Sequence, residues 1–214
     1  MGKEIRVFFA EMEVRAADDG KRTITGYAVK WDQLSEKMGW FQRFREKFQR
    51  GSFADSLTND DQYMHWNHND DIVLARKKNG TLRLEEDDTG LRFEADMPSN
   101  QWGDYAYEAV QRGDVDKMSF GFKMQGEEWD DNDEDNVVRT VTKAQLFEVS
   151  PVPYPAFPQS EAQARSIDKV YEDYRAANEP EPVTTEPDLA EQRRGFHELK
   201  SKIYQVYEEV ARNG

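Results

Sequence analysis

The stretch DKMSFGFKM, residues 116–124, sets one serine inside an alternating run. Met118, Phe120, Phe122 and Met124 interleave with Ser119, Gly121 and Lys123. Successive strand residues point to opposite faces, so this pattern predicts a strand with one apolar buried face and Ser119 on the other. A serine acts as a nucleophile only when a base can take its proton and a third group holds that base in place. The chain has three histidines and no cysteine. Thiol nucleophiles, thiolate metal sites and disulfides are therefore excluded. His65 and His68 lie in YMHWNHNDDIVLAR, a polar patch leading into an apolar strand, and either ring can serve as the base. His197 falls in a helical tail and reads as a surface residue.

The third group follows from a hairpin. VVRTVTKAQLFEVS, residues 137–150, predicts a second strand, and the acidic run EEWDDNDEDN before it reads as a solvated hairpin tip. The midpoint between positions 119 and 148 falls inside that tip, so Ser119 and Glu148 are expected opposite each other. Phe147 and Val149 read as the apolar face, which leaves Glu148 on the face of Ser119. Opposite residues on one face have Cβ atoms about 5 Å apart, and a slip of two keeps them neighbours. A competing arrangement is metallic: His65 and His68, with Asp70 and Asp71 following, make half of a His/Asp site whose other half is missing from the sequence.

The elements that must position these groups are mostly strands. EIRVFFAEMEVRAADDGKRTITGYAVKW reads as a hairpin about Asp18-Asp19-Gly20, and TLRLEEDDTGLRFEADM as another about Asp87-Asp88-Thr89-Gly90. NQWGDYAYEAVQRG has helical spacing at Tyr105, Ala106, Ala109 and Val110, with Gly113 as its stop. The prolines of SPVPYPAFP end the β-rich body, assigned to residues 1–158. A helical tail, 159–214, follows. It contains a helix over 160–178, the linker EPEPVTTEPD (179–188) and an apolar seam from Leu189 through Phe196, Leu199, Ile203 and Val206 to Val210. The seam's spacing suits pairing with another helix or folding back on the body.

The chain of 214 residues carries a formal net charge of −14. That charge disfavours nucleic acid as a partner. The basic segment FQRFREKFQR (41–50) reads as an amphipathic stretch with a solvated basic face. No stretch approaches the roughly 20 apolar residues of a membrane span, and the start does not read as a signal peptide. The expectation is a soluble intracellular protein with no membrane association.

Five blocks, in order, resemble the tailed-phage prohead maturation proteases. TITGYAVKWDQLSE resembles their opening strand and loop. FREKFQRGSFADSL is similar to their F-x-E-x-x-x-x-G-A-F segment, with Ser52 where alanine is usual. WNHNDDIVLARKKNGTLRLEEDDTGLRFEADMP resembles the histidine block, with Ala75 where glycine is usual. AVQRGDVDKMSFGF resembles the serine block and LFEVSPVPYPAFP the closing block. The resemblance covers residues 5–160. It implies a mainly β fold with some helix, a compact β-barrel ringed by helices as in the herpesvirus maturational proteases. It implies Ser119 as nucleophile and His68 as base, with His65 the second choice, and Glu148 fits the third position. Ser150, two residues on, is an alternative nucleophile.

The resemblance implies a serine endopeptidase that needs no cofactor or metal. It would work in the host cytoplasm inside the immature capsid, cutting the scaffold region of the major capsid protein and itself. Self-association is expected through the tail helix at 189–210. Two other readings compete: an acidic, non-enzymatic capsid assembly or scaffolding protein, and a metal-dependent hydrolase in which His65 and His68 share an ion.

Overall fold

The computed structural model describes residues 3–9, 12–16, 20–39, 43–133, 135–154 and 161–178. One sheet runs in the order β1 (Glu4–Phe9), β9 (Lys117–Asp130), β10 (Val138–Val152), β5 (Tyr63–Trp66), β6 (Asn69–Arg76). The long strand β10 also pairs with β4 (Arg45–Phe48), so β4 and β5 lie one after the other along its edge, both parallel to it. The second sheet runs β2 (Glu13–Ala16), β3 (Arg22–Lys30), β8 (Gly90–Asp96), β7 (Leu82–Glu86). Both sheets belong to the first of two compact units, Met1–Glu172 and Asp173–Gly214.

The closed barrel expected from the resemblance is not what the described residues form. No ladder joins the edges β1 and β6 of one sheet, or β2 and β7 of the other. Two open sheets instead pack over a single core. Ile24, Leu91 and Phe93 of one meet Phe48, Phe120, Phe122, Leu146 and Val149 of the other. Helices do not ring the sheets either: only α1 (Ala54–Asn59), α2 (Gln101–Gln111) and α3 (Glu161–Asn178) occur among the described residues.

Local sequence accounts for most elements. Met118, Phe120, Phe122 and Met124 are all buried, as their alternation demands. Phe48 packs edge-on against Phe120 and Phe122 at 5.2 and 5.3 Å. Each such ring removed from water stabilises by about 1.5–3 kcal/mol. Helix α2 starts where the Asn100 side chain accepts hydrogen bonds from the backbone N–H groups of Trp102 and Gly103. It is followed by Gly113 at φ 77°, a conformation glycine adopts without a Cβ penalty. The segment at 41–50 contains β4, with Phe44 and Phe48 buried; Lys47 pairs with Asp32. In α3, Tyr171 packs on Phe44 and Trp129. The linker at 179–188 and the seam at 189–210 lie outside the described residues.

One hairpin expectation changes. The first run of EIRVFFAEMEVRAADDGKRTITGYAVKW does not pair with the last. The β2–β3 hairpin forms, but β1 leaves it and adds antiparallel to β9 in the other sheet. A buried ionic cluster holds β1 there. Arg6 contacts Glu46 at 2.6 Å and Glu4 at 2.7 Å, while the wholly buried Arg139 contacts Glu46, Glu127 and Glu4. Removing one partner from such a cluster leaves uncompensated buried charge, at a cost of about 3–5 kcal/mol.

Candidate active site

Strands β9 and β10 place two of the predicted residues. Their hairpin forms, but in a different register from the expected one. Ser119 stands opposite Ser150, and Glu148 stands opposite Gly121. Nearer the tip, Leu146 pairs with Phe122, so the pairing shifts by one residue across Phe147. Without that shift Glu148 would face Phe120 and point into the core, because a one-residue slip exchanges the faces of a strand. The bulge puts Glu148 on the face of Ser119 and Gly121. It also corrects the assignment of Phe147 to the apolar face: Leu146 and Val149 are the buried pair, and Phe147 is only partly buried.

The turn between β5 and β6 places His68. Asn67 and His68 have φ of 50° and 59°, a two-residue reversal with both residues left-handed. Asparagine and histidine tolerate this region better than most residues, yet a side chain held there is strained, as side chains at functional sites often are. The Asn67 N–H donates to the Pro151 carbonyl, tying the turn to the end of β10.

The three side chains converge. His68 Nε2 lies 2.6 Å from Ser119 Oγ, and Nδ1 lies 2.8 Å from Glu148 Oε1. With Nδ1–H donating to the carboxylate, Nε2 is free to accept the serine proton. Glu148 is 1% exposed and Ser119 fully buried. Burial alone pushes the Glu148 carboxyl up. The hydrogen bond and charge of His68, the Ser150 hydroxyl and Lys3 together outweigh it and hold the group below its usual range. The carboxylate therefore stays ionised, ready to stabilise an imidazolium.

His65 is placed differently. It is buried, its Nδ1 lies 3.2 Å from Asp70 Oδ1 without a hydrogen bond, and burial pushes its pKa below the ordinary imidazole value. Both nitrogens of His68 are engaged, one by Ser119 and the other by Glu148.

Three further groups touch the site. Ser119 Oγ also lies 2.9 Å from the Arg6 carbonyl, and its single proton serves one acceptor at a time. Lys3 Nζ lies 3.4 Å from Glu148 Oε1, and Ser150 Oγ donates to Glu148 Oε2 at 2.6 Å. Lys3 and Arg6 carried no sequence signal, being more than a hundred residues from their partners. Ser150 did carry one, since it sits two residues from Glu148 and hence on the same face. The Lys3 and Glu148 side chains fill the space beside Gly121.

Neither curated proteins nor solved structures give a match to this chain. The family model for Caudovirus prohead serine protease matches residues 10–173. A strand-borne serine with an imidazole and a carboxylate in hydrogen-bonded line is an arrangement suited to peptide hydrolysis, and the chain belongs to the caudovirus prohead serine protease family.

Proposed function

We propose that the chain is a serine endopeptidase with Ser119 as nucleophile, His68 as general base and Glu148 as the group that orients it. The observation that carries this reading is the unbroken chain Ser119 Oγ–His68 Nε2, 2.6 Å, and His68 Nδ1–Glu148 Oε1, 2.8 Å. Oγ attacks the scissile carbonyl carbon as its proton passes to Nε2. The imidazolium is balanced by the Glu148 carboxylate. It then returns the proton to the leaving amine, and water hydrolyses the acyl-enzyme by the same route. Ser119 is wholly covered in this conformation, with the Arg6 carbonyl beside its hydroxyl. A peptide carbonyl reaches Oγ only after that cover shifts.

The substrate class we assign is the scaffold region of the major capsid protein, cut inside the immature capsid in the host cell. Family membership supports this reading. We also assign cleavage of the chain's own linker, EPEPVTTEPD, whose proline-rich sequence suits an extended protease substrate. The apolar seam at 189–210 has the spacing to pair with a scaffold helix or a second copy and so carry the enzyme into the shell. The test is co-expression with the phage's major capsid protein and mass spectrometry of the products. Wild type should give one defined truncation, while Ser119→Ala and His68→Ala give none. Capsid truncation that persists in Ser119→Ala would overturn the site. Unprocessed capsid protein with normal shell assembly in every case would favour the non-enzymatic assembly reading.

A further inference from the structure

We infer that Ser150 is a positioning residue that fixes the Glu148 carboxylate for His68; this rests on the roles proposed above for Ser119, His68 and Glu148. The Glu148 carboxylate is buried, and each of its oxygens has a separate task. Oε1 faces His68 Nδ1 at 2.8 Å and Lys3 Nζ at 3.4 Å. Oε2 accepts a 2.6 Å hydrogen bond from the Ser150 hydroxyl, which is itself wholly buried.

The last torsion of a glutamate side chain is broad and roughly two-fold, so rotamer preference alone does not set the plane of its carboxylate. A donor on Oε2 sets it. Ser150 is suited to that task by its place on the strand. It lies two residues from Glu148, on the same face of β10, and directly opposite Ser119 on β9. The two serines thus flank one carboxylate–imidazole pair from facing strands. Ser150 is not a second nucleophile, since both nitrogens of His68 are already engaged and its own hydroxyl donates to Glu148.

Removing the donor leaves Oε2 buried without its partner and frees the carboxylate to turn away from Nδ1. Hydrogen bonds to charged groups are strong enough that losing this one should lower kcat by about 10- to 100-fold. KM should be unchanged, because Ser150 reaches substrate only through Glu148 and His68. The measurement is steady-state cleavage by the full-length protein of a peptide spanning the mapped capsid junction. Expected are a fall in kcat with constant KM for Ser150→Ala, recovery of most of kcat in Ser150→Thr, and no further loss when Ser150→Ala is added to Glu148→Gln. A wild-type kcat in Ser150→Ala would overturn the proposal. So would a loss that multiplies fully with that of Glu148→Gln, even if the threonine variant fails to fold. Cleavage by Ser119→Ala would instead overturn the assignment of the site, which separates the two failures.

Discussion

Gly121→Ala tests the geometry of the site with a single methyl group. A Cβ built on Gly121 would fall 2.6 Å from Glu148 Oε1 and would also overlap Lys3 Cε. The lysine is half-exposed and can swing into solvent; the buried carboxylate has nowhere comparable to go. Restoring an ordinary contact of 3.4 Å moves Oε1 by about 0.8 Å. Directed along the 2.8 Å bond to His68, that shift opens it to about 3.6 Å, beyond hydrogen-bonding range. The lost interaction is charge-assisted, worth about 1.5–3 kcal/mol, which corresponds to a fall in kcat of about 10- to 150-fold. Stability should change little, because alanine suits a strand better than glycine by about 0.5–1 kcal/mol and offsets the local crowding. The assay is kcat and KM on the junction peptide, with a thermal melt to show that the fold is intact. A wild-type kcat would refute the reasoning. A raised KM at constant kcat would show that the methyl blocks the peptide and not the carboxylate.

Three other outcomes are expected. His68→Gly and His68→Ala should both be inactive, but the glycine variant should melt about 2–4 °C higher, since only glycine sits at φ 59° without strain worth about 1 kcal/mol; equal melting temperatures would remove the strain argument. Ser52 buries a hydroxyl with no hydrogen-bond partner, so Ser52→Ala should stabilise the protein by about 1 kcal/mol in denaturant unfolding, and a loss of stability would show a partner in solution. The Arg83 hydrogen bonds hold the Asp96 carboxyl well below its ordinary 3.8 despite burial. A carboxyl depressed on folding stabilises above its unfolded value and loses that contribution as pH falls toward its folded value. The stability gap between wild type and Asp96→Asn should therefore be constant above about pH 5 and narrow below 3.8, and a gap that widens with acid would reverse the sign.

Much of this protein is local in origin, and that part is legible in the sequence. The alternation of Met118, Phe120, Phe122 and Met124 fixes which face of β9 enters the core. The turn at Asp87-Asp88-Thr89-Gly90 fixes the β7–β8 hairpin, and Asn100 with Gly113 bounds α2. Periodicity, caps and turn chemistry act within a few residues, so one sequence carries them. Ser119, Glu148 and the pair His65 and His68 were also legible as residue types on suitable elements, and the choice of His68 came from the family resemblance. The shared face of Ser119 and Glu148 was legible too, but the register that joins them and the approach of His68 were decided elsewhere. A bulge at Phe147 turns Glu148 out of the core, and a strained Asn67-His68 turn aims the imidazole at the serine. Strand β1 leaves its neighbours to bring Lys3 and the Arg6 carbonyl to the site from more than a hundred residues away. The barrel gives way to two open sheets for the same reason. Which edge a strand joins, and where a ladder slips by one residue, depends on side chains packed from distant parts of the chain, and no local pattern encodes that balance.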